Sequence, residues 1–505
     1  MAQELKSINL IAPGFKGINT EESPLAIDAN FAAVADNCVI DRYGRIAARQ
    51  GYDVLTTTKT ELGTAAVEVI EVFKDSSGNT EIFSCGNNKI LSGTTTLVDE
   101  TPAAYTITDN NWDVVNFNDS IYFFVRGHEP LVYSNGSGAV EIMSAVAGAA
   151  GTPPEANAVI AAWGRLWVAD FAADKSTIYW SDLLQGHVWT GGSSGSIDIS
   201  KVWPDGYDEI RGLAAYNNQL IIFGKHSIIV YEGADSPASM TLLDTVSGIG
   251  LRCRCGIADL GTDILFLAYD GLRSFGRTIQ EKSMPISDLS RNIKQDLLKV
   301  MFAETQPVRM VYSPENSFVL LAFRSQSLLY CFDVRGTLEN GSYRVTRWPG
   351  SSIKEVTRSS EGTLYIGNTD GICTYSTYTD GDAGYLMKYY SPNLTFGDGS
   401  RLKILKKLRP TVIGGSGTTL NFNWGYDFSG SFKTFTATLN SSTTSEYNIG
   451  EFGIAEYSNG LVSTTLNINT TGDGSSVVVG LEADIEGSEM SLQEYNIWSM
   501  IGKLV

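Results

Sequence analysis

The stretch GLAAYNNQLIIFGKHSIIVYEG, residues 212–233, reads as an apolar strand, a tight turn near Asn218, a second strand and a third short apolar run. Asn tolerates the positive φ that short hairpin turns demand, so turn chemistry and strand pattern agree here. The same unit recurs elsewhere, first in VIEVFKDSSGNTEIFSCGNNKIL (69–91), WDVVNFNDSIYFFVRGHEPLVYS (112–134) and AVIAAWGRLWVADFAADKSTIYWSD (158–182). Beyond residue 233 it returns in CGIADLGTDILFLAYDGLRSF (255–275), RMVYSPENSFVLLAFRSQSLLYCF (309–332) and EVTRSSEGTLYIGNTDGICTY (355–375). Its turns fall near Gly78, Asn118, Gly164, Asn218, Thr262, Asn316 and Gly362, about 40 to 54 residues apart. A three- or four-stranded unit at that period is the signature of a β-propeller blade, and the count is six or seven. A pair of stacked sheets is the alternative architecture.

The period breaks between the fifth and sixth units, at MPISDLSRNIKQDLLKVMFAE (284–304). Ile286, Leu289, Ile293, Leu297 and Met301 recur at helical spacing, which predicts a helix near 286–302 with Ser287 or Asp288 as its cap. Such a helix lies against the propeller or is offered to a neighbouring subunit. After Asp382 the repeat disappears and longer alternating strands predict an antiparallel β-sandwich. The expected organisation is an N-terminal arm and hairpin over 1–60, completing the propeller or touching a neighbour. A propeller over 61–380 and a sandwich over 381–505 follow it. Within the sandwich, RLKILKKLR (401–409) reads as a strand with one basic and one buried face. Arg401, Lys403, Lys406 and Lys407 are therefore candidate contacts to an acidic partner subunit, or charges that are solvated or paired with acidic neighbours.

Composition narrows the function classes. The 505 residues carry a net charge of -19, with acids spread along the chain, which argues against charge-driven nucleic-acid binding. It leaves room for DNA to pass an acidic wall without sticking. No apolar run reaches the roughly 20 residues of a membrane helix, and MAQELKSINLIAPGFKG lacks the pattern of a secretory signal. The six cysteines fit buried, reduced thiols; Cys253 and Cys255 form CRC, without the CxxC pairs or histidines of a zinc site.

Catalytic signatures are missing. His128, His187 and His226 sit in no metal or hydrolase motif, and TGGSSGS (190–196) and SGIG (247–250) lack a phosphate-loop lysine. The acidic turns TDGDAG (379–384), FGDGS (396–400) and TGDGSS (471–476) lack the ligand series of a calcium loop. No enzyme activity and no cofactor are expected.

The N-terminal DNCVIDRYGRIAARQGYDVL (36–55) places Asn37, a strand, a turn at Tyr43-Gly44, Ile46, then Arg49 and Gly51 before the next strand. This module, with GIGLRCRCGIADLGTDILFLAYDGLRSF (248–275), MPISDLSRNIKQ (284–295) and the closing EYNIWSMIGKLV, resembles short-tailed bacteriophage tail nozzle or hub proteins. These are the family called tail tubular protein B or packaged-DNA stabilisation protein. The cues span most of the length, and none is an invariant motif. The resemblance implies a structural virion protein, made in the host cytoplasm, that forms a ring, expected to be a homohexamer, at the distal tail tube. Such a ring lines or gates the DNA channel, retains the genome until DNA ejection, and contacts an adaptor ring above and tail fibre or tip proteins. Passing DNA is contacted without sequence specificity. Arg45 and Arg49 are then candidates for ion pairs within the chain or across a ring interface. The alternative is a receptor- or glycan-binding adhesin or tail-fibre-type propeller, with Trp189, Trp203 or Tyr378 stacking on sugars.

Overall fold

The computed structural model describes residues 5–11, 14–109, 111–134, 137–281, 288–439 and 463–504. Among them, seven antiparallel blades follow one another in chain order: five are four-stranded sheets, one is a three-stranded sheet, and the sixth is the four-stranded end of a nine-stranded sheet. The fourth blade illustrates the rest: Ile210–Tyr216, Gln219–Gly224, Ser227–Glu232 and Thr241–Ser247, each paired with the next. Its first turn holds Asn217 and Asn218 at φ of 48° and 61°, the left-handed conformation that Asn adopts at low cost. The other blades also turn where the repeat places them, with Gly78, Asn118, Gly164, Gly261, Ser317 and Gly362 all at positive φ. The three-stranded blade is the fifth, Ile257–Asp259, Ile264–Ala268 and Gly271–Ser274.

Burial explains why the blades form a ring. An apolar seam separates each pair of neighbours, as where Tyr122 and Phe124 of the second blade meet Leu166 and Val168 of the third. Ile221 and Phe223 of the fourth likewise meet Ile264 and Phe266 of the fifth. The last seam joins the two ends of the series, packing Ile372 of the seventh blade with Ile70, Ile82 and Leu91 of the first. That seventh blade is completed by Tyr52–Val54, which pairs antiparallel with Gly371–Tyr375 (Cys373 opposite Val54, Tyr375 opposite Tyr52). Its outermost strand therefore comes from near the other end of the propeller sequence, which ties the ring shut.

The sandwich is not confined to residues 381–505. One of its sheets joins Arg401–Gly414 and Met490–Leu504 to three N-terminal strands, Leu5–Asn9, Cys38–Ile40 and Ile46–Ala48. The other is continuous with the sixth blade. From that blade's outer strand Arg344–Pro349 it passes through Val34–Asp36, Tyr385–Tyr390, Val477–Ile485 and Thr419–Tyr426 to Phe432–Thr438. Tyr389, Phe422, Leu405, Leu408, Tyr495 and Ile497 fill the space between the two sheets, within a cluster that reaches the fifth and sixth blades. Propeller and sandwich thus share one core.

The expected helix near 286–302 is shorter than its spacing indicates. A helix spans Lys294–Ala303, preceded by a 3-10 turn at Arg291–Ile293, and a second helix that the spacing does not indicate spans Phe275–Glu281. Ile286 and Ser287 lie outside the described residues. Asp288 is no helix cap: its Oδ1 accepts hydrogen bonds from the Ser290 N–H and hydroxyl, its Oδ2 pairs with Lys294, and its backbone forms an isolated β-bridge with Arg273. Leu289, Ile293, Leu297 and Met301 are all buried against the fifth and sixth blades, so the helix lies on the propeller. No described helix is long and apolar enough to cross a membrane.

The chain leaves the sandwich for the propeller at Gly51. A Cβ there would stand 2.0 Å from the Thr379 carbonyl oxygen. Gly51→Ala is therefore expected to destabilise the fold by about 1–3 kcal/mol, as overpacking against rigid backbone does. The check is the shift in thermal unfolding beside Gly399→Ala, where no atom would crowd the new Cβ and φ is not positive.

Candidate functional site: the propeller channel and the propeller–sandwich joint

The first strands of the blades surround a central channel, and its wall carries charge. Glu71, Asp113, Arg309 and Glu355 come from the first, second, sixth and seventh blades. Arg254 and Cys255 enter from the segment before the fifth blade and line both cavities of the channel, one of about 420 Å³ and one of about 480 Å³. Arg254 is held across the opening by the Trp112 carbonyl at 2.7 Å, Asn111 Oδ1 at 2.9 Å and Asn157 Oδ1 at 3.1 Å. Arg309 pairs with Glu355 at 2.7 Å and donates from Nη1 to Cys255 Sγ at 2.6 Å. CRC is thus a plug that divides the channel, with Cys255 as an acceptor for Arg309. All six cysteines are free; Cys253 and Cys255 are only partly buried, unlike the other four.

Two of the channel carboxyls feel the low dielectric. Burial first, then repulsion from Asp113 and Glu355, pushes Glu71 up to about 8. Asn116 donates to its Oε1 at 2.6 Å. Burial also raises Glu355, against the opposing pull of Arg309 and Arg324. Among the described residues no group of three or more His, Cys, Asp or Glu side chains is arranged to hold a metal ion. The histidines lie apart: His128 hydrogen-bonds Thr108, His226 stacks on Tyr269, and burial lowers His187.

The candidate contacts divide between a joint and an open face. Arg49 is 3% exposed where hairpin, propeller and sandwich meet. Its Nη1 and Nη2 donate to the two carboxylate oxygens of Asp380 at 2.8 and 2.6 Å, and its Nε donates to Asn37 Oδ1 at 3.1 Å. The guanidinium lies 4.1 Å from the Tyr385 ring centroid and 5.4 Å from that of Trp348. Asn37, at φ 54°, donates from Nδ2 to the Leu386 carbonyl, and the Tyr385 hydroxyl donates to the Arg49 carbonyl. Arg45 pairs within its own turn with Asp41 and donates to Gln493 at 3.1 Å. Asp380 was invisible as a partner in sequence, being 331 residues away in a turn that resembles a calcium-loop fragment.

The strand RLKILKKLR does not alternate as read. Register shifts between Arg401 and Lys403 and between Leu405 and Lys407 bring Lys403 to the inner face, fully buried. Burial lowers Lys403, and its ammonium donates to the Asp398 and Arg401 carbonyls. Arg401 pairs with Asp398, while Lys406 is exposed and Lys407 lies over Trp498 at 5.9 Å from the ring centroid. The aromatics proposed for sugar stacking are packing residues. Trp203 is buried, Trp189 bonds Met143 Sδ beneath a seam, and Tyr378 packs against the large core.

No protein-family model matches this chain, and no curated protein sequence does either. Among solved structures, the extracellular domain of the BT4673 system of B. thetaiotaomicron aligns with a TM-score of 0.42 at 13% identity, covering 68% of this chain and 46% of that one. The chain thus spans less than half of that protein's length. YCF48 bound to D1 peptide aligns at 0.39 and 11% identity, over 65% and 98% of the two chains. The computationally designed protein Ika8 gives 0.37 and 11%, over 64% and 98%. The propeller stands on the chain's own sheets and seams.

Two outcomes follow for these sites. Arg49→Lys loses the planar fork and the ring stacking, and Arg49→Ala leaves Asp380 without its partner. Arg49→Ala is expected to cost about 3 kcal/mol, with Arg49→Lys between it and wild type in thermal unfolding. Glu71 keeps its proton to about pH 8 when folded and loses it near 4.5 when unfolded, so its contribution is full below 4.5 and is lost as pH rises through 8. Glu71→Gln is expected to unfold at a higher temperature than wild type at pH 9, with a smaller difference at pH 5.

Proposed function

We propose that this chain is a structural, non-catalytic subunit of a short-tailed phage tail, assembling into a nozzle-type ring around the path of the packaged DNA. The observation that carries this reading is the joint at Asn37, Gly44, Arg49 and Gly51. Asn37, Arg49 and Gly51, part of the N-terminal module through which the sequence resembles nozzle proteins, meet where the propeller joins the sandwich, and Gly44 turns the hairpin between them. Each has a physical task there: a left-handed amide, a left-handed turn, a buried fork and a close backbone approach. A subunit that must withstand the pressure of a packaged genome benefits from one shared core rather than two hinged domains. In this reading the DNA path runs through the centre of the ring, and the propeller channel of each subunit, crossed by Arg254 and Cys255, is not part of it. The net charge of -19 suits a wall along which phosphate slides. In this reading the ring sits in the virion beneath an adaptor ring and carries tail fibre or tip proteins.

The test is the mass and shape of the purified protein. A closed ring in negative-stain images, with a mass at a small multiple of 54.7 kDa, is the expected result. A persistent monomer that binds cells or glycans would sink the ring in favour of a receptor-binding propeller. Polysaccharide turnover abolished by one carboxylate substitution would favour a hydrolase.

A further inference from the structure

Among the described residues no element packs on the outer face of the sandwich sheet built on Arg401–Gly414 and Met490–Leu504. Pairing across three strands places Leu5, Met500 and Ile404 in one row and Ser7, Trp498 and Lys407 in the next. Directly paired residues of an antiparallel ladder project to the same side. Leu5 is 60% exposed, and Ile404, Trp498 and Met500 are each half-buried. Arg409 extends the face opposite Asn496, and Lys406 stands out of the register shift beside it. Lys406, Lys407 and Arg409 form no ion pair among the described residues, in a chain whose other cations are mostly matched to carboxylates. An apolar row with a tryptophan and unmatched cations has the composition of an interface core and its rim.

A second surface has the opposite character. Thr241–Ser247 is the outer strand of the fourth blade, at the edge of its sheet. Leu242 and Leu243 are 48% and 45% exposed there, both outside the blade's apolar seam. Glu232, paired opposite Thr241, and Asp235 in the preceding connection are exposed beside them, and Asp244 follows in the strand.

We infer that the basic, apolar face of the sandwich docks on the acidic, apolar edge of the fourth blade of a second copy of this chain. Charge selects that occupant. A chain of net charge -19 offers its own acids to this cluster of three cations without ion pairs, and opposite potentials guide association. Nucleic acid fits the face less well, because Asp473 and Glu494 border it, opposite Ile404 and Thr411. Two different surfaces meeting head to tail generate a ring or an open helix rather than a two-fold dimer. This inference rests on the ring reading above and names its contact.

The experiment compares wild type with Lys407→Glu/Arg409→Glu and with Glu232→Lys/Asp235→Lys by sedimentation velocity at low and high salt. Thermal unfolding confirms that each variant folds. Each double variant is expected to sediment as a monomer at concentrations where wild type is assembled, and an equimolar mixture of the two is expected to reassemble, because every junction of an alternating assembly is then either the wild-type charge pairing or its reverse. If wild type assembles and either variant assembles equally well, the docking surface is overturned and the ring stands. If wild type itself is monomeric at all concentrations, the ring reading falls, and this contact with it. If the mixture stays monomeric, or if a 20-base-pair DNA duplex binds wild type and not Lys407→Glu/Arg409→Glu, the face belongs to another partner and the inference is overturned.

Discussion

Arg49 is the point on which the rest of the structure depends. A guanidinium that is almost wholly buried is costly unless its charge and its N–H groups are answered, and here they are, by Asp380, Asn37 and the rings of Tyr385 and Trp348. Those partners come from the hairpin, from the outer strand of the sixth blade and from the two sides of the turn that leads into the sandwich. Satisfying one cation therefore sets the relative position of all of them. Hydrophobic burial supplies more free energy over the whole chain, but it is not directional. The forked ion pair and the close approach at Gly51 are.

The same logic appears in how the ring is closed. Seven blades with apolar faces form seven seams only if the last meets the first, as Ile372 meets Ile70 and Leu91. A strand from residues 52–54 finishes the seventh blade, so closure and exit to the sandwich occur within a few residues. The continuous sheet from the sixth blade through Val34–Asp36 to Phe432–Thr438 then removes the hinge expected between two sequential domains. In the channel, arginines and acids from separate blades answer one another across a low-dielectric space, with Arg254 as the strut.

Much of this was legible in the sequence. The Asn and Gly turns at the repeat interval identify the propeller because positive φ is a local demand that few residues meet. The loss of that repeat after Asp382 marks the sandwich. The length of the helix was not legible: Leu289 and Ile293 are spaced as in a helix but are buried by a turn and a 3-10 segment, since burial depends on direction toward the core and not on continuous helical hydrogen bonding. Nor was the side to which Lys403 points, because one extra residue in a ladder reverses every later position.

What the sequence by itself determined is local: where the chain turns, which segments are strands, and that no metal or nucleophile motif is spelled out along it. What only the tertiary structure decided is partnership across long separations, as between Arg49 and Asp380, Asp36 and Arg347, or Arg309 and Cys255. The physical reason is that strand propensity and turn conformation act over a few residues. Ion pairs, close approaches and sheet continuation depend on which distant segments the shared core brings within a few ångströms.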